Sequence, residues 1–186
     1  MKQCNRLVLA VSKLLEVAYW LATAAAVVGL IGCFAAKDFF TSHLPVGTEL
    51  TIGSLELAVF TSDGTYPIAA AVLLSITAIL SFTLMAMIFR NVYLSLKTSD
   101  GKTWFATGKT PFQSDVTRMV REIGIFYLSI TVIAMVMAVL ARLILGHDFV
   151  ELHVNLQGII TGIIILCLSQ VFSLGTSLQK DVDGLL

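Results

Sequence analysis

Ile123 to Leu145 reads IGIFYLSITVIAMVMAVLARLIL, 23 residues whose single charge, Arg142, comes near the end. A helix rises 1.5 Å per residue, so roughly 20 residues cross a hydrocarbon core about 30 Å thick. An unpaired backbone amide in lipid costs several kcal/mol, which leaves helix as the state for such a run. Three more runs match it: Val17 to Ala36, Pro67 to Phe89 and Val154 to Leu174. The sequence therefore predicts an all-α membrane protein, a four-transmembrane-helix bundle. Its single domain covers 1–186, with spans at about 14–36, 67–89, 123–145 and 154–174, an outside loop 37–66 and a cytosolic loop 90–122.

Composition agrees. The chain is 57% hydrophobic and 13% charged, whereas a soluble domain carries about 25% charged residues. Formal net charge is zero, and nothing in that balance points to direct contact with nucleic acid.

The placement of charge is more informative. Lys2, Arg6, Lys13, Arg90, Lys97, Lys102, Lys109, Arg118, Arg121 and Lys180 all fall on one side of the four runs, leaving only Lys37 and Arg142 for the other. The positive-inside bias puts both termini in the cytoplasm. Leu30-Ile31-Gly32-Cys33 imitates a lipoprotein cleavage box, but a signal h-region spans about 7–15 residues. The longer run here reads as an uncleaved first helix. Cys4, Cys33 and Cys167 are scattered, so they suggest neither a disulfide framework nor metal-ligand spacing.

Small residues recur at helical spacing in the first span (Ala18, Ala22, Ala25, Ala26, Gly29, Cys33), and Gly158 and Gly162 form a GxxxG in the fourth. Helices in lipid associate by close backbone approach at such residues. The pair fits packing inside one chain, with a homo-oligomer face as the other use. Ser75, Thr77, Ser81 and Thr83 in the second span can bond to carbonyls of their own helix. Transport pathways place ionisable groups near mid-membrane. Here Glu16 sits by Lys13 in the first turn of span one, and Arg142 near the outer end of span three.

His43, His147 and His153 all lie in the outside loops. If the segment 147–153 were helical, His147 and Glu151 would share a face at i and i+4. His147, Glu151 and His153 are thus the metal-ligand candidates, although zinc needs three or four converging groups. A polar turn is the simpler reading, and no cofactor or metal is expected.

In the outside loop, Leu50 and Ile52, then Leu55, Leu57 and Val59, alternate with other residues around Gly53-Ser54, the pattern of a small outside β-hairpin. On the cytosolic side, Val116, Met119, Val120 and Ile123 fall at i, i+3, i+4 and i+7. This predicts an amphipathic lead-in near the headgroups, capped by Ser114 or Asp115, before the chain turns into span three. Pro111, Phe112, Arg118 and Arg121, with the tail from Gln179 to Leu186, are the candidate contacts with lipid or a partner. Gly108-Lys109-Thr110 resembles the tail of a phosphate-binding loop, but Thr103 occupies the position of the required first glycine. No catalytic constellation is present in the sequence pattern.

Two segments, Thr110-Pro111-Phe112-Gln113 through Arg121-Glu122-Ile123-Gly124 and Leu168 through Leu185, resemble the NPF…lrkiG stretch and the closing run of a bacterial four-span membrane family of unknown function, the domain-of-unknown-function family twenty-nine seventy-five. These motifs occupy about a fifth of the chain, and 98–107 reads as an insertion. The resemblance implies a bacterial inner-membrane location and, as partner, a cytosolic or membrane protein such as a small helix-turn-helix regulator. It brings no catalytic residues. The expected function is a non-enzymatic inner-membrane protein of regulatory, sensory or partner-binding type. The alternative is a small transporter or channel subunit acting as an oligomer.

Overall fold

The computed structural model describes residues 2–35, 49–52, 55–58, 68–146, 150–152 and 155–183, and the side chains of 6–35, 68–146 and 155–182. Four helices dominate: α1 (Lys2–Ala35), α2 (Ile68–Ser99), α3 (Ser114–Leu145) and α4 (Leu156–Asp183). Each is long and apolar enough to cross a membrane. Three short strands accompany them. β1 (Glu49–Ile52) pairs antiparallel with β2 (Leu55–Ala58), Leu50 opposite Leu57, and β3 (Val150–Leu152) pairs antiparallel with β2, Leu55 opposite Leu152.

The helices outrun their apolar runs. They hold 34, 32, 32 and 28 residues, about 42–51 Å at 1.5 Å per residue. In every case the excess lies at the basic end: residues 2–13 of α1, 90–99 of α2, 114–122 of α3 and 175–183 of α4. The lead-in expected to lie apart from span three is instead the opening of the same unbroken helix. Its apolar side is turned into the protein, with Val116 and Met119 buried. Burial against protein satisfies that face, so it has no need of the headgroup layer.

The chain divides into two compact units. The first (1–19, 84–128, 157–186) contains all ten basic residues of the predicted cytosolic side against six Asp and Glu, formally +4. The second (20–83, 129–156) has two Lys and Arg against six Asp and Glu, formally −4.

Within the second unit the buried faces are rich in small residues. α2 buries Ala70, Ala71, Leu73, Leu74, Thr77, Ala78 and Ser81, and α3 buries Thr131, Ala134, Met137, Ala138 and Ala141. Large residues such as Val28, Ile31, Val136 and Leu143 are exposed instead. This inverts a water-soluble domain and suits lipid, where close backbone approach and not hydrophobic expulsion joins helices. The Thr77 hydroxyl donates to the Leu73 carbonyl at 2.8 Å, and Thr83 to that of Ile79 at 2.7 Å. Both hydroxyls are satisfied within their own helix. No Asp, Glu, Lys, Arg or His is buried among the described residues of this unit.

Within the first unit, α3 and α4 interlock through glycines. A Cβ on Gly162 would lie 2.6 Å from Leu128 Cγ, and one on Gly124 would lie 2.8 Å from Leu166 Cδ2. Each helix thus offers a glycine and, four residues away, the leucine that fills its neighbour's gap. Gly158 is also buried. Gly29, by contrast, has open space where a side chain would be.

Candidate functional site

The connection between α2 and α3, residues 100–113, is an ordered structure. α2 ends in a Schellman cap: the Gly101 amide donates to Thr98 O at 2.9 Å and Lys102 N–H to Lys97 O at 3.0 Å. Gly101 takes φ +70°, which a glycine adopts without the Cβ penalty. The segment then folds around Gln113, which is 3% exposed. The Gln113 Nε2 donates to the carbonyls of Thr98, Gly108 and Thr110 at 3.2, 3.1 and 2.6 Å. Its Oε1 accepts from the amide and hydroxyl of Thr107 at 2.9 and 3.2 Å.

The Gln113 carbonyl also accepts the first bond of α3, from Thr117 N–H at 3.0 Å. The cap position therefore belongs to Gln113, and Ser114 and Asp115, the expected caps, fall inside the first turn. The side chain that would have capped locally is committed to the loop.

Two contacts fasten this loop to α4. Thr110 Oγ1 donates to Gln179 Oε1 at 2.8 Å. The Phe112 ring lies against Gly175, where any Cβ would collide with it, and its centroid is 6.0 Å from that of Phe172. The loop carries Trp104, 95% exposed and edge-on to Phe105 at 5.3 Å between centroids. Nothing in the sequence pattern singled out Trp104. The available signal is the Trp104-Phe105 pair within a loop rich in Gly, Lys and Thr.

Next to the loop, α3 and α4 frame a groove of about 300 Å³. From α3 it takes Ser114, Thr117, Arg118 and Arg121, and from α4 Ser173, Thr176, Ser177 and Lys180. Both sets run i, i+3, i+4, i+7, one face of each helix. The Thr117 and Thr176 hydroxyls meet at 3.3 Å. Arg118 is 60% exposed and lies 3.5 Å from Glu122 and 4.0 Å from Asp115. Glu122 is held from behind by Asn91, whose Nδ2 donates to its other oxygen at 2.9 Å. No carboxylate lines the groove. A second cavity of about 530 Å³ shares Ser114, Thr176 and Lys180 with it and adds Lys109.

Of the residues singled out from sequence, Arg118 and Arg121 come together in the groove, while Pro111 and Phe112 lie exposed beside it. Phe112 is 41% exposed and already partly used against α4. Gly162 packs within the chain. Glu16 is buried and takes a 3.0 Å hydrogen bond from Lys13, as their spacing suggested.

The metal candidates His147 and His153 lie outside the described residues. Glu151 lies in β3, which removes the helical premise that aligned it with His147. Among the described residues no cluster of three His, Cys, Asp or Glu could hold a metal ion. The Gly108-Lys109-Thr110 turn is not preceded by a strand among the described residues; its Gly108 carbonyl is taken by Gln113.

No family model, no curated protein and no solved structure matches this chain.

Proposed function

We propose that the protein is a non-enzymatic, multi-pass protein of the bacterial inner membrane that holds a cytosolic protein partner on its basic side. In this reading both termini are cytoplasmic and the paired strands β1 and β2 form a small hairpin on the outside. Membership of the four-span family named above is part of the same proposal, and a small helix-turn-helix regulator is the partner type it suggests.

The observation that carries the reading is Trp104. An aromatic side chain left 95% exposed sits on a loop that Gln113, Thr110 and Phe112 hold firmly. Exposed tryptophans on rigid supports are the residues that dominate protein interfaces, because they bury a large area with little ordering cost. Arg118, Arg121 and Lys109 belong to the same basic unit and supply charge that would steer an acidic partner.

The test is affinity capture from mild detergent, comparing the parent with Trp104→Ala. Trp104 touches little, so its loss leaves the fold intact. A partner recovered with the parent and lost with Trp104→Ala supports the reading. Identical recovery from both, or no partner from either, refutes it.

A further inference from the structure

We infer that the groove between α3 and α4 binds the phosphate of an anionic phospholipid headgroup. The inference rests on the cytosolic placement of the basic unit proposed above, and not on a protein partner.

Three cations and five hydroxyls line the groove, with no carboxylate among them. That donor set is matched to phosphate oxygens: Arg offers a planar fork, Lys a point charge, and Ser and Thr neutral donors between them. Arg118 is shared with Glu122 and Asp115. Arg121 and Lys180 make no ion pair among the described residues, and they supply most of the uncompensated charge. The depth comes from small side chains, since Ser and Thr occupy every lining position that is not basic.

The groove's position selects the source of the phosphate. Arg121 stands two residues before Ile123, where the apolar run of α3 begins, and Ser173 stands next to Leu174, where that of α4 ends. From Ser114 to Arg121 is seven residues, about 10 Å of helix, enough to cross the roughly 5–7.5 Å of polar layer on one side of the hydrocarbon core. Within about one turn of the groove both helices carry exposed apolar side chains, Ile125 on α3 and Val171 and Leu174 on α4, with Gln170 an exposed polar residue among them. A soluble phosphate has no use for that continuation. An acyl chain attached to the phosphate does.

The full-length protein in mild detergent is titrated separately with phosphatidylglycerol, phosphatidylcholine and inorganic phosphate, and bound molecules are counted by native mass spectrometry. Phosphatidylglycerol binds in preference to the other two. With roughly a fivefold step per cation removed at a charged interface, Arg121→Gln/Lys180→Gln weakens it about 30-fold. Ser177→Phe fills the groove while leaving every charge in place, and it also abolishes the preference. Arg6→Gln/Lys102→Gln removes the same charge elsewhere and leaves binding within about twofold of the parent, since screening limits remote charges to small effects.

Equal loss from both double variants, or equal binding of the two lipids by the parent, overturns the site. Inorganic phosphate binding as tightly as phosphatidylglycerol overturns the lipid assignment. None of these readouts depends on Trp104, so this inference and the proposed partner can fail separately.

Discussion

Replacing Gln113 with alanine removes five polar contacts at once without touching the membrane-facing surface. The side chain is 3% exposed. Its two Nε2 hydrogens are spread over three carbonyls, and its Oε1 takes two donors from Thr107. Thr98 is fully buried, so its carbonyl gains no water when the glutamine goes, but it keeps the Gly101 amide as donor. Thr107 is exposed and recovers much of its loss from solvent. A buried polar group left unpaired costs about 1–3 kcal/mol and an ordinary exchanged bond about 1 kcal/mol. Two donated hydrogens and two accepted donors, each a partly compensated exchange of about 0.5–1 kcal/mol, give about 2–4 kcal/mol for loosening the loop.

Such a loss raises the local opening constant roughly 30- to 1000-fold. Hydrogen exchange of the Thr107 amide reads it directly, because that amide donates to Gln113 Oε1 at 2.9 Å. Exchange rises over 100–113 in Gln113→Ala, while α2 amides between Ile79 and Ser95 keep their protection. Gln113→Glu is worse: it keeps an acceptor for Thr107 but turns an oxygen toward three carbonyl oxygens. If both variants exchange within about threefold of the parent over this segment, Gln113 does not hold the loop.

Other perturbations separate neighbouring ideas. Gly162→Val forces α4 away from Leu128, costing about 1–3 kcal/mol in denaturant titrations, and Leu128→Ala in the same chain recovers part of that loss; no recovery would return the glycine to an intermolecular role. Thr77→Val is close to neutral, within about 1 kcal/mol, because Leu73 O keeps its helical amide donor when the hydroxyl is lost; a larger drop in thermal stability would show that the hydroxyl does more. In a background with Cys4, Cys33 and Cys167 changed to Ser, a membrane-impermeant maleimide labels Ser62→Cys in intact cells and Lys102→Cys only after permeabilisation. The opposite pattern would reverse the orientation.

The four helices were legible because membrane transfer is additive along a sequence: twenty apolar residues decide the matter without knowledge of neighbours. Their basic-end extensions were not, since residues such as Val116 and Met119 sit among charges and become core only when other helices cover them. GxxxG was visible at Gly158 and Gly162, but the leucine filling the gap, Leu128, is one of many in its helix. Gln113 looks like any loop glutamine until five groups converge on it. Half of the groove was in view as Arg118 and Arg121. The other half, Ser173, Thr176, Ser177 and Lys180, has the i, i+3, i+4, i+7 spacing of a helix face; only Lys180, in the tail from Gln179, is legible as a contact, because the apolar run ends at Leu174 and gives no sign that the helix continues.

Groove and loop are built on the same two turns of α4. Gly175 and Gln179 receive Phe112 and Thr110 from the loop, while Thr176, Ser177 and Lys180, interleaved with them, line the groove. Gln113 ties the other edge, since its side chain organises the loop and its carbonyl starts the helix that carries Arg118 and Arg121. A phosphate held between α3 and α4 would therefore touch the helices that support the loop of Trp104. Any such coupling is reciprocal: a partner favouring the lipid-bearing form would tighten lipid binding by the same factor. The resulting surface differs from a simple anchor, whose partner would be held equally well in any bilayer; here recruitment would follow the anionic lipid content of the leaflet.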